Sequence, residues 1–184
     1  MDISILIIAI VVLGIVGLLA FQAGRKRRTT HLRDRFGPEY DRVASKADHP
    51  KAAEAELEAR ERRHSTFELR PLDTAAAARY QKEWRDAQSH FVDSPSTAIR
   101  EADDLITSVM QERGYPMDRF DQRAADLSVE YPDVVNEYRA AHRVAKDNER
   151  GQATTEDLRG AMVHYRSLFE RLVDTSGRTQ EKSR

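Results

Sequence analysis

Residues 3–21, Ile-Ser-Ile-Leu-Ile-Ile-Ala-Ile-Val-Val-Leu-Gly-Ile-Val-Gly-Leu-Leu-Ala-Phe, carry no charge, and Arg25-Lys26-Arg27-Arg28 follows at once. A helix of that length spans roughly 28 Å at ~1.5 Å per residue, close to the ~30 Å hydrocarbon core of a bilayer. Such a helix satisfies its own backbone hydrogen bonds, which lipid cannot do. Ser4, near the start, is the one polar side chain of the run. Residues 1–24 are therefore expected to form a single transmembrane anchor. The chain opens Met1-Asp2, with an acid where a signal peptide carries cations, and Leu18-Leu19-Ala20 is a poor small-x-small cleavage site. The anchor is expected to stay uncleaved.

Cation asymmetry sets the expected orientation. Arg25, Lys26, Arg27, Arg28, Arg33 and Arg35 follow the run, and no Lys or Arg precedes it. The positive-inside rule then places the N-terminus outside and the long C-terminal part in the cytoplasm. The basic cluster can also touch anionic headgroups, but topology control explains it sufficiently. Gly14 and Gly17 miss the G-x-x-x-G spacing, whereas Ala20 and Gly24 have it at the membrane edge, a weak sign of self-association.

The residues beyond the anchor are enough for one domain. All 30 Lys and Arg lie there, with every one of the 31 acids except Asp2, so this part is balanced in charge. It has no overall field to attract nucleic acid, and a nucleic-acid partner is not expected. The chain has no Cys, which excludes disulfides, thiolate metal sites and a cysteine nucleophile. Neither G-x-x-x-x-G-K-[ST] nor G-x-G-x-x-G occurs.

Apolar residues recur at helical spacing throughout. Leu32, Phe36, Tyr40, Val43 and Ala47 step by three or four across a kink or restart at Gly37-Pro38. Asp48 or His49 can cap a charged helix opening at Pro50 with Ala53, Leu57 and His64 on one side. Residues 65–73 break the pattern, with Phe67 and Leu69 alternating and Pro71 favouring extended backbone at Arg70, so a surface link is expected. Thr74 is expected to cap a helix striped by Tyr80, Trp84, Ala87 and Phe91. Ser94-Pro95 opens the next, striped by Ile99, Ala102, Leu105, Ile106, Val109 and Met110 and stopped by Gly114. A short helix carries Phe120, Ala124 and Leu127. Pro132 is expected to open another, with Val135, Tyr138, His142 and Ala145. The last begins at Thr154 or Thr155, with Thr154-x-x-Asp157 as a capping box, and carries Leu158 through Leu172.

The expected fold class is all-α: one transmembrane helix followed by an antiparallel helical bundle. The segments are an anchor at 1–24, a basic juxtamembrane stretch with charged helices at 25–73, a bundle core at 74–174 and a polar, disordered tail at 175–184.

Chemistry finds little to stand on. A bundle metal site needs paired Glu-x-x-His motifs, and only Glu61-x-x-His64 occurs. His142 and His164 lie on helices expected to pack together, where a histidine hydrogen-bonded at the core edge accounts for each. Ser94 and Thr154 are explained as caps, and Asp103-Asp104 by helix starts or exposed faces. No catalytic residue, cofactor or metal is expected. Trp84, Tyr138, His142, His164 and Tyr165 remain as candidates for an interface or pocket, because Arg and aromatic residues cluster there.

The strings Phe36-Gly37-Pro38-Glu39-Tyr40, Leu69-Arg70-Pro71-Leu72, Phe91-Val92-Asp93, Arg113-Gly114-Tyr115-Pro116 and Thr155-Glu156-Asp157-Leu158-Arg159, with Trp84, resemble those of an uncharacterised bacterial family with a short N-terminal hydrophobic segment, often labelled hypothetical or secreted. The resemblance implies a bacterial inner-membrane protein and supplies no activity. The expected function is a membrane-tethered cytoplasmic scaffold or adaptor with a protein partner, not an enzyme, and self-association is a further expectation. The alternative is a small-ligand-binding or enzymatic bundle using His142 and His164.

Overall fold

The computed structural model describes residues 26–174, together with Leu13 and Gly24. The expected anchor at 1–24 and the expected tail at 175–184 therefore lie outside the described residues, apart from those two positions. Among the described residues no helix is long and apolar enough to cross a membrane. All regular structure described is α-helical, as the apolar periodicity requires.

The chain divides into two compact units at Glu58/Ala59. In the first, residues 26–36 are helical and α1 spans Pro38–Ala44. Gly37 separates them with φ 46°, a left-handed value that suits glycine, and Pro38 then sits in the first turn of α1. Leu32, Phe36, Tyr40 and Val43 keep one apolar phase across this break and are buried. Glu39 is buried with them. Arg42 forks onto its carboxylate from Nε and Nη2, each at 2.7 Å, so the charge is paired and bonded. α2 spans Pro50–His64 and crosses the division: its residues to Glu58, with Ala53 and Leu57 buried, belong to the first unit, and 59–64 belong to the second.

The second unit is a helical bundle. It contains α3 (Thr74–Asp93), α4 (Pro95–Glu112), α5 (Phe120–Glu130), α6 (Val135–Glu149) and α7 (Thr155–Val173). Side-chain pairs fix the directions. His90 meets Glu101 while Tyr80 meets Ser108 and Glu112, so α3 and α4 are antiparallel. Tyr165 reaches Asp103 and the Leu172 carbonyl reaches Arg113, so α7 runs parallel to α4. Arg171 meets Asp133 and His164 lies near Glu137, so α6 is antiparallel to α7. The four long helices thus run up, down, up, down, with the short α5 inserted before α6. Their interior is closed by Ile99, Ile106, Met110, Leu127, Tyr138, Tyr165 and Leu168, all fully buried, and alanines at 98, 102, 124, 141 and 161 let the helices approach closely.

The helix ends correct three expectations. Asp73, not Thr74, is the cap of α3, its carboxylate accepting from the Ala76 N–H at 2.7 Å. A carboxylate also complements the positive helix end, which the Thr74 hydroxyl does not. Ser94 occupies the cap position of α4 but makes no side-chain cap bond. Pro132 opens a turn rather than a helix: the Tyr131 carbonyl accepts from Val134 and Val135, and α6 starts only at Val135. The expected capping box is present at α7. The Asp157 N–H donates to Thr154 Oγ1 at 3.2 Å and the Thr154 N–H to Asp157 Oδ2 at 2.9 Å.

The link at 65–73 is irregular and tied in, as Pro71 and the alternating pattern require. The Arg70 N–H donates to the Arg113 carbonyl at 3.0 Å, and Leu72 is buried. Gly114 makes this approach sterically feasible. Its φ is 90°, and an added Cβ would stand 2.7 Å from the Glu68 carbonyl oxygen.

Candidate functional site

Of the basic residues expected to set topology, Arg25 lies outside the described residues. Lys26, Arg27 and Arg28 are on the exposed side of the first helical segment, and Arg28 pairs with Glu58.

The five interface or pocket candidates divide into three places. Tyr138, His142 and Tyr165 come together around Asp103 of α4. The Tyr165 hydroxyl donates to Asp103 Oδ1 at 2.7 Å, and His142 Nδ1 lies 3.5 Å from the same oxygen. Phe120 stacks on the His142 ring, centroids 3.6 Å apart and planes 5° apart, and packs against Tyr138 at 5.0 Å. Burial works against the Asp103 charge, yet His142 and Tyr165 outweigh it and hold the carboxyl below its ordinary range. Burial, reinforced by the Asp103 charge, pushes the Tyr165 hydroxyl up. Burial also pushes Tyr138 up, and its buried hydroxyl has no hydrogen-bond partner among the described residues. This group ties α4, α5, α6 and α7 together.

His164 is elsewhere. Its Nδ1 lies 3.8 Å from Glu137 Oε2 at the half-exposed seam of α6 and α7. His142 and His164 thus face different carboxylates. Each of the four bundle histidines stands across from a carboxylate of a different helix: His64 and Glu130 at 3.9 Å, His90 and Glu101 at 2.9 Å, and the two pairs just given. Glu101 accepts a hydrogen bond from the His90 ring, and this raises the His90 pKa. Among the described residues, no three His, Asp or Glu side chains are grouped so as to hold a metal ion.

Trp84 is the third place. It is 5 % exposed and stacks on Phe169, centroids 4.7 Å apart and planes 15° apart. This pair floors an open groove of about 470 Å³ between α3 and α7, with Val173 beside it and Arg85, Arg166 and Glu170 on the rims. Arg166 Nε pairs with Glu170 at 2.6 Å within its own helix. Arg85 has no hydrogen bond or ion pair among the described residues. Val92 and Val163, 83 % and 59 % exposed, lie on the same stripes of α3 and α7 as the rim residues.

Sequence reasoning missed a largely buried polar centre at the C-terminal end of α4. Burial opposes the Glu130 charge, but His64, the Tyr115 hydroxyl and the Arg113 guanidinium outweigh it and hold the carboxyl at about 2. Arg113 Nη2 reaches Glu130 Oε1 at 3.3 Å, Tyr131 donates to that oxygen at 3.2 Å, and Arg113 Nη1 reaches both Tyr131 and the Leu172 carbonyl. Asp126 is likewise buried, accepting from Arg63 and Gln122 at 2.9 Å each. Asp103, expected at a helix start or on an exposed face, is the polar anchor of the first cluster. The sequence carried the signal: Asp103 is four residues after Ile99 and three before Ile106, at the edge of the apolar stripe.

No family model, curated protein or solved structure matches this chain.

Proposed function

We propose that this protein is a bacterial inner-membrane protein, anchored by its N-terminal apolar run, whose cytoplasmic helical bundle acts as a scaffold or adaptor for other proteins. The charge-free stretch at 3–21 and the cations at 25–28 support the anchor and its orientation. The observation that carries the interaction reading is the contrast between interior and surface. The bundle core is filled by fully buried side chains, while the groove over Trp84 and Phe169 is open and rimmed by arginine and glutamate. Aromatic floors and arginine rims are the composition that protein interfaces favour. His142 and His164 face different carboxylates, Asp103 and Glu137, which does not favour a ligand pocket built on both.

Two measurements test this reading. A photoreactive amino acid at position 85, in the full chain in native membranes, is expected to crosslink to a polypeptide, whereas the same residue at position 146, on exposed α6 surface, is not. Absence of any polypeptide adduct at position 85 would refute the interaction reading. A reporter active only in the periplasm, fused after Arg184, is expected to stay silent, and strong activity would reverse the topology.

A further inference from the structure

The geometry points to a second copy of this chain as the occupant of the groove between α3 and α7, in a two-fold dimer whose axis runs along the groove. This inference rests on the interaction reading and names its partner.

The argument starts from charge. The two rims differ: α3 presents Arg85, which has no hydrogen bond or ion pair among the described residues, and α7 presents Glu170, held only by an arginine of its own helix. Such a face is self-complementary under one rotation. An axis along the groove lays α3 of one copy on α7 of the other at the same height. Trp84 and Phe169 mark equal heights, since they are stacked on each other, and Arg85 and Glu170 are their immediate neighbours in sequence. Arg85 then faces Glu170 of the second copy, and the contact is made twice. An axis across the groove at the height of the stacked rings would instead stack α3 on α3, setting Arg85 against Arg85.

The apolar surface follows the same symmetry. α3 is antiparallel to α7, so Val92, eight residues beyond Trp84, and Val163, six before Phe169, lie towards the same end of the groove. At ~1.5 Å per residue the two stand roughly 12 Å and 9 Å from the stacked rings. The rotation that joins Arg85 to Glu170 also lays Val92 on Val163 of the second copy, covering two of the most exposed large apolar side chains described. It leaves the first residues of both bundles at the same end of the dimer, which suits two chains tethered to one membrane.

The natural chain has no cysteine, so introduced thiols are unique. Full-length chains carrying Arg85→Cys and Glu170→Cys, with different tags, are mixed in detergent and treated with a short thiol-to-thiol crosslinker. The expected product is the mixed dimer, with little product from either variant alone. Arg85→Glu is expected to weaken dimerisation about tenfold or more, because each substitution counts twice across a two-fold axis, and adding Glu170→Arg in the same chain is expected to restore it. A monomeric mass for the unsubstituted chain, or crosslinking of Arg85→Cys chains mainly to each other, would overturn the proposal. If the photoreactive residue at position 85 then captures a different polypeptide in membranes, the interaction reading survives with another occupant. If it captures nothing, both fall.

Discussion

Replacing Glu130 by Gln tests the buried polar centre directly. The Glu130 carboxyl is held at about 2 in the folded chain, against an ordinary value of 4.5. One pKa unit corresponds to ~1.4 kcal/mol, so the ionised carboxylate contributes about 3 kcal/mol to folding. The sign follows from proton binding. The unfolded chain takes up a proton at Glu130 near pH 4.5, whereas the folded chain resists until about pH 2. The contribution is complete above pH 4.5 and is lost as pH falls from there towards 2. Glu130→Gln removes it at every pH and leaves the largely buried Arg113 guanidinium facing a neutral amide. The assay is urea unfolding of the full chain in detergent, followed by circular dichroism from pH 7 to pH 2.5. At pH 7 the variant is expected to be about 3 kcal/mol less stable than the natural chain, and the gap should narrow steadily below pH 4.5. A gap that stays constant down to pH 2.5 would show that the carboxylate's charge contributes nothing, and would refute the reasoning.

Three further substitutions probe packing, backbone and capping. Trp84→Ala should lose ~3–5 kcal/mol, because it removes a buried ring stacked on Phe169, and a loss under 1 kcal/mol in chemical unfolding would contradict that packing. Gly114→Ala should cost about 1–3 kcal/mol from its left-handed backbone alone, with more added by the collision with the Glu68 carbonyl. Gly151→Ala, at φ 68° with no atom within 4 Å of the added Cβ, should cost visibly less, and equal losses in thermal melts would argue against the collision. Thr154→Ala breaks the capping box of α7 and should cost about 1 kcal/mol, and an unchanged melting curve would show that the box contributes nothing.

The bundle was legible because its signal is periodic. The stripes from Ile99 to Met110 and from Leu158 to Leu172 are buried as their spacing requires, and the Gly114 stop and the Thr154-x-x-Asp157 box follow from local chemistry alone. Boundaries set by competition between neighbours were harder to read. Asp73 and Thr74 both can cap a helix, and the backbone took the carboxylate. At Pro132, a proline suited to a first helical turn equally suits a tight turn, and the Tyr131 carbonyl decided for the turn. The polar centres were the least legible. Glu130, Arg113 and Asp126 look like ordinary surface charges in sequence, since pairing across 17 residues or across 63 leaves no periodic trace. The Trp84 groove was half legible: the stripe pointed to a buried tryptophan, while its stacking partner Phe169 lies on a helix far along the chain.

The position of α7 has a consequence for biosynthesis. It is made after every other described helix, yet it lies against the central α4, and its Leu172 carbonyl receives the Arg113 guanidinium. During synthesis α3 and α4 can close on each other early, because a single residue joins them. The other face of α4 must then wait, its Ile and Val side chains uncovered, until the remaining helices emerge. A chain truncated before Thr155 would keep that face open permanently. A nascent or broken chain of this kind is a ready substrate for chaperones and proteases, because covering of the α4 face waits on α7.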